Sequence, residues 1–471
     1  MSEMVQTDAP VAIIGYGTAG VNAAIALRNS GYEGIIRVFS DITTLPYSPI
    51  LTSYYAGGEK SYEECFPWSA EELAELDVDV LEGNAVTELD PEAHVVRTAQ
   101  GDFPYSKCVI ATGATPMTYG FPSDCGYDPL VLRSMDDAER LKGVLEDDSC
   151  KRVLVSGASM VALKTLEACL DRGKQVTLVG MNPHVLDFNA LPEAAERFEK
   201  GLIGYGVELR LGQTIANVKR VDRAEPAGGR TWQLEVTFSN GDVDRFDEIS
   251  VSHGMKSNLD FVKPGSLEID HGLVVDDFMR TNNPDVYAAG DVAQATELIS
   301  GEKRIVGIWK NAALQGACAG AAIAAELAGR QPDASCAYAG GLSMNTIQVK
   351  DTLFISSGTI ELTPTRQVEV REAEDMTVVY IFEECAGVAT AGADGVDGAA
   401  NADGAANTDV GKGSAGVDVG KGSAGGKNSA RRLVGFNLVS DHGEEGGVAY
   451  DTGAMLTLRI EAAFRNARNT N

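Results

Sequence analysis

Residues 11–41 read "VAIIGYGTAGVNAAIALRNSGYEGIIRVFSD". The apolar run Val11–Ile14 suits a buried strand, and a helix-forming stretch follows it through a cluster of glycines. Gly15, Gly17 and Gly20 stand in G-x-G-x-x-G spacing, with Ala19 just before the last. Gly15 permits a tight turn, Gly17 lets backbone approach a pyrophosphate, and Gly20 lets helix and strand pack closely. The helix start then turns its free N–H groups and positive dipole end toward that phosphate. The next strand, "GIIRVFS", ends at Asp41, 21 residues past Gly20, where a ribose acceptor is expected. Strand, turn, helix and acid together predict a dinucleotide-binding unit. A glycine-rich turn in an unrelated α/β domain is the alternative.

The same order of elements returns at 152–180 as "RVLVSGA", "SMVALKTLEACLDRGK" and "QVTLVG". Two copies of one nucleotide-binding plan are therefore predicted. In the second copy the three glycine positions become Gly157, Ser159 and Ala162. Gly157 and Ser159 remain binding candidates, but Ser159 carries a Cβ and an Oγ where a pyrophosphate wants bare backbone. Gly180 stands where a carboxylate would bind an NAD ribose, and no adjacent arginine awaits an NADP phosphate.

Outward from these units the chain reads as alternating β-type segments, one with an Asn240-Gly241 hairpin turn. From about residue 335 short strands and a final helical stretch predict a third, mixed domain. Residues 386–430 are nearly all small or polar and carry "DVGKGSAG" twice, so they are expected to form a flexible insertion. A chain of 471 residues with 44% hydrophobic content can supply such cores. Its 39 basic and 68 acidic residues leave a net charge of −29, which argues against nucleic acid and anionic membranes as partners. The small-residue run at 312–329 is predicted to be a buried helix rather than a membrane span. An acidic start without a basic n-region and eight scattered cysteines point to a cytoplasmic protein. No metal-ligand spacing is evident.

Two further segments carry a resemblance: "VIATGATP" at 109–116 and "TNNPDVYAAGDVAQ" at 281–294. They are similar to the flavin-contacting signatures of the pyridine nucleotide-disulfide oxidoreductase superfamily. "IWKNAALQGACAG" and "YAGGLSMNTIQV" further resemble its NAD(P)H nitrite, rubredoxin and ferredoxin reductase branch. The resemblance covers the chain except the insertion. It implies an α/β fold with two Rossmann-like dinucleotide-binding domains, of FAD and NAD(P) type, plus a C-terminal α+β interface domain. Residues 1–118 and 248–330 would form the FAD domain, 119–247 the NAD(P)-type domain with its degenerate motif, and 331–471 a dimerisation domain holding the 386–430 insertion. In this family Thr112 and Gly113 would close over FAD, and Gly290 and Asp291 would place a carboxylate by its ribityl chain. NAD(P)H as donor, a small-molecule or electron-carrier acceptor, and a homodimer are also implied.

Departures from the family pattern shape the functional expectation. Ile50 occupies the place of the redox cysteine of the thiol-active branch, and Cys65, behind acidic residues, reads as structural. Ser53 replaces the lysine that approaches flavin N5 in the electron-carrier branch, and Lys164 replaces that lysine's glutamate partner. Lys164 either reaches the flavin from the second unit, a charge exchange, or points to solvent. His253 is either a proton donor near the flavin or a structural histidine. The expected function is an FAD-dependent oxidoreductase without an active disulfide, taking electrons from NAD(P)H. A flavin subunit fed by a protein partner and a non-catalytic flavin sensor or scaffold are the alternatives.

Overall fold

A computed structural model of the chain describes residues 9–118, 120–227, 230–384, 431–441 and 447–468. Val11–Ile14 is buried along its whole length because it is the central strand of a parallel sheet. Ile36–Phe39 pairs with it on one side and Lys107–Ile110 on the other, and Asp79–Leu81 and Val286–Ala288 form the edges. Continuous apolar strands are what a sheet covered on both faces requires.

Helix Thr18–Asn29 covers one face and packs against helix Trp309–Leu327. The small residues of the second helix allow this. A Cβ at Gly316 would run into the Ala19 carbonyl oxygen, and one at Gly320 into that of Ala23. The run from 312 is thus helical as far as Leu327 and buried along the face toward helix Thr18–Asn29, and no helix among the described residues is long and apolar enough to cross a membrane.

A second parallel sheet has the order Glu208–Leu211, Gln175–Gly180, Arg152–Ser156, Glu248–Val251. Glu248–Val251 pairs with Val153–Ser156, so this sheet runs four residues past the boundary expected at 247. Asp247, fully buried, fixes that strand by accepting from the Lys151 and Arg152 amides at 2.7 and 2.9 Å. The Asn240-Gly241 turn joins the antiparallel strands Arg230–Phe238 and Val243–Phe246. The short helix Thr52–Gly57, from the first unit, lies against helices Met135–Glu146 and Met160–Asp171 of the second. Tyr55 anchors it through Glu139 and Lys142.

The last unit is a five-stranded antiparallel sheet in the order Met344–Val349, Thr352–Gly358, Arg431–Ser440, Met376–Glu384, Arg366–Glu372, with helix Gly447–Arg468 upon it. Its α+β character matches expectation. Helix Pro192–Gly204 of the second unit packs on this sheet, and Asn437 bridges to the Leu191 amide and the Asn189 carbonyl, each at 2.8 Å. The expected flexible insertion at 386–430 lies outside the described residues.

The helix contact gives a test with a clear sign. Alanine is the better helix former by about 1 kcal/mol, so Gly316→Ala should stabilise the protein if the close approach is unimportant. We expect the opposite, a loss of about 1–3 kcal/mol from overpacking, read as a lowered midpoint in thermal unfolding.

Candidate functional site

The carboxyl ends of the first sheet's strands converge on the glycine turn. Gly15 has φ +104°, and a Cβ there would strike the Ala111 carbonyl oxygen on the neighbouring strand's end. Gly20 meets the Gly15 carbonyl in the same way, which seats the helix on the turn. Gly17 is the N-cap of helix Thr18–Asn29, makes no side-chain cap, and has open space where a Cβ would stand. The first N–H groups of this helix therefore face a bare-backbone cradle suited to a pyrophosphate. Asp41 is exposed just past strand Ile36–Phe39, at the same edge of the sheet.

Thr112 and Gly113 lie beside the turn, with Gly113 at φ +66°. Asn258 fastens them: it donates to the Thr112 carbonyl at 3.0 Å, accepts from Thr112 Oγ1 through its own carbonyl at 2.7 Å, and binds the Gly113 carbonyl through its amide at 3.0 Å. Gly290, at φ +82°, donates its amide to Gln315 at 2.8 Å, and a Cβ on it would come 3.2 Å from that of Ala19. The structure thus brings together Gly15, Gly17, Ala19, Gly20, Thr112, Gly113, Gly290 and Asp291.

Asp291 has a partner that sequence reasoning missed. Arg133, from the segment entering the second unit, donates to its carboxylate at 2.8 Å. The guanidinium also lies 3.6 Å from the place of a Cβ on Gly113, so it reaches into the same cleft. Tyr47 is within electrostatic range of Arg133 and Asp41, and burial first of all pushes its phenol up. Arg133 and Asp291 thus form an ion pair beside Gly113, with the charge of the arginine matched by the carboxylate.

The second turn repeats the first with differences. Gly157, at φ +115°, is pressed against the Ser252 carbonyl oxygen, the counterpart of Ala111. Ser159 caps helix Met160–Asp171, accepting from the Ala162 amide at 3.4 Å, and shares a 2.7 Å hydrogen bond with Ser252 Oγ. Its hydroxyl is therefore folded back onto the chain. A side chain at Gly180 would begin 3.1 Å from the Ala158 Cβ and 3.3 Å from Leu211, so a ribose-binding carboxylate is absent and its place is crowded.

Of the two orientations expected for Lys164, the solvent-facing one is not the one found. Its side chain is 17% exposed, not solvent-facing, and it is ion-paired with Glu167. The ammonium sits 4.0 Å from the centre of the Tyr54 ring and donates to the Gln348 carbonyl at 3.4 Å. Burial opposes its charge, but Glu167 and Tyr54 outweigh burial and hold its pKa above the ordinary lysine value. His253 Nε2 shares a 2.8 Å hydrogen bond with Ser156 Oγ, and desolvation lowers its pKa from the ordinary imidazole value. It sits where the chain leaves the second sheet for the Met255–Ser257 strand that pairs with Ala114–Pro116. Cys65 is buried, and burial followed by Glu64 and Glu63 pushes its thiol up, in keeping with a structural role. Among the described residues no group of three His, Cys, Asp or Glu is placed to hold a metal.

Comparison with known proteins agrees with this geometry. The model of the pyridine nucleotide-disulphide oxidoreductase family matches residues 9–316. The chain is 30% identical over 295 residues to a rubredoxin-NAD(+) reductase of Pseudomonas putida, covering 62% of this chain and 74% of that one. It is 29% identical over 335 residues to the epsilon subunit of an NADH-dependent phenylglyoxylate dehydrogenase of Aromatoleum evansii, covering 71% and 75%. A water-forming NADH oxidase of Lactobacillus brevis shares the fold, with a TM-score of 0.73 at 18% identity over 98% of this chain and 100% of that one. The chain belongs to the pyridine nucleotide-disulphide oxidoreductase family and is an FAD-dependent oxidoreductase.

Proposed function

We propose that the chain passes a hydride or an electron pair from NAD(P)H, by way of FAD held in the first unit, to an electron-carrier protein or a small acceptor. The observation that carries this reading is the bare-backbone turn at Gly15–Gly20 facing the Arg133–Asp291 pair. Bound FAD supplies the two-electron redox chemistry. The helix start at Gly17 and the Arg133 guanidinium would hold its phosphates, Asp41 would accept from a ribose, and Asp291 would orient the ribityl chain. Gln315 and Asn258 act by fixing the backbone of Gly290 and of Thr112–Gly113.

Acceptor chemistry needs no thiol from this chain. Ile50 is 57% exposed in the segment where a redox cysteine would stand, and Cys65 is buried. The carrier-type acceptor is supported by relatives named for rubredoxin and putidaredoxin reduction. The self-capped second turn favours a second reading, in which a protein partner delivers the electrons, and one relative is itself named as an enzyme subunit. Met455 and Leu458, 49% and 65% exposed on the last helix, support pairing of two copies through the C-terminal unit. The seven described cysteines are all free, in keeping with a cytoplasmic setting.

Lys164 serves in this reading as a positioned cation on the Tyr54 ring, tempered by Glu167. A nearby positive charge favours electron-rich flavin.

Anaerobic stopped-flow mixing tests the donor: NADH or NADPH should bleach the flavin band as completely as dithionite. Bleaching by dithionite alone would sink the nicotinamide reading and leave the partner-fed one. Gly15→Ala should weaken FAD retention by about 10- to 100-fold, measured as flavin per chain after gel filtration, since its Cβ has no room and its φ is unsuited. Lys164→Ala should lower the flavin midpoint potential and Glu167→Gln should raise it, each by about 30 mV, or about 1.4 kcal/mol for two electrons. Unchanged potentials in both variants would remove Lys164 from the flavin's surroundings.

A further inference from the structure

The two dinucleotide units differ at two equivalent backbone positions, and both differences add a hydroxyl. In the first unit the turn glycine abuts Ala111 and the helix begins at Gly17, whereas in the second the same places hold Ser252 and Ser159. The equivalence is geometric. Ile14 pairs with Ile110 as Ser156 pairs with Val251, so Ala111 and Ser252 each follow the strand end that meets a turn glycine. At the first turn no side chain caps the helix, while at the second the Ser159 hydroxyl takes the Ala162 amide and bonds Ser252 at 2.7 Å. Ser252 is itself held by its amide to the Ser156 carbonyl at 2.8 Å.

We propose that the Ser159–Ser252 hydroxyl pair is an internal latch that sets how weakly the second unit binds its nicotinamide dinucleotide. This rests on the reading of that unit as the donor site. A helix start left open gives its N–H groups to a phosphate; here the Ser159 hydroxyl already accepts from one of them, at 3.4 Å. A dinucleotide pyrophosphate must displace the Ser159 hydroxyl or bind at a distance. Either course costs affinity without touching the reacting end of the donor, so the latch acts on KM rather than on kcat. Ser159 and Ser252 are specificity-determining residues, not catalytic ones.

The test compares Ser159→Gly, Ser252→Ala and the double variant in the FAD-loaded protein, by titration with NAD+ and by stopped-flow reduction with NADH. Glycine at an N-cap costs the helix only a few tenths of a kcal/mol, so the fold is expected to survive. Ser159→Gly should tighten NAD+ binding and lower KM by about tenfold, with the gain absent from kcat. Ser252→Ala should give a smaller gain, about threefold, and the double variant no more than Ser159→Gly, because both break one hydrogen bond. Unchanged KM in Ser159→Gly, or full additivity of the two, would overturn the latch. Protein that stays yellow but is reduced by no nicotinamide in any variant would overturn the donor reading as well.

Discussion

The structure depends on backbone meeting backbone without a Cβ between. Gly15 against Ala111 brings two strand ends together, Gly20 seats the helix on the turn, and Gly316 and Gly320 let a second helix lie on the first. Each approach shortens a distance that side chains would otherwise set. Through them the helix start, the Thr112–Gly113 segment and the Gly290–Asp291 segment come to one edge of the sheet, although they lie far apart along the chain. Ligands of open parallel sheets bind outside these carboxyl ends. The proposed cofactor site is therefore a by-product of close packing, and the residues that form the cradle also hold the core.

Second in importance is how the first unit is tied to the second. Helix Thr52–Gly57 leaves the first unit and is gripped by Tyr55 on Glu139 and Lys142, and by Tyr54 under Lys164. The turn at Lys350, from the C-terminal sheet, then donates its amide to Glu167 at 3.0 Å. Lys164 and Glu167 thus together touch all three units.

What was legible in the sequence was local. Glycine spacing, strand length and the Asn240-Gly241 turn depend on neighbours within a few residues, and these readings match the elements observed. Long-range partners were not legible. Arg133 meets Asp291 across 158 residues and Thr112 meets Asn258 across 146, and no local pattern marks such pairs. The boundary at 247 fell short of Val251 for the same reason, since Glu248–Val251 owes its place to a partner strand near residue 153. Lys164 shows an intermediate case. Its Glu167 partner is three residues on along a helix and readable as such, whereas the Tyr54 ring and Gln348 carbonyl that pin it are not.

The acidic balance sharpens the meaning of the two turns. A net charge of −29 opposes any phosphate-bearing ligand at long range, yet beyond about 8 Å physiological salt screens most of that field. Binding of an anionic dinucleotide is then decided by the few donors within reach. The first turn offers an uncapped helix start and Arg133; the second offers a helix start whose amide is shared with Ser159 and a ribose place crowded by Ala158 and Leu211. A resident cofactor needs the former kind of site, because release would end turnover. A donor that must arrive and leave at each cycle is compatible with the latter, where the hydroxyls of Ser159 and Ser252 bond each other.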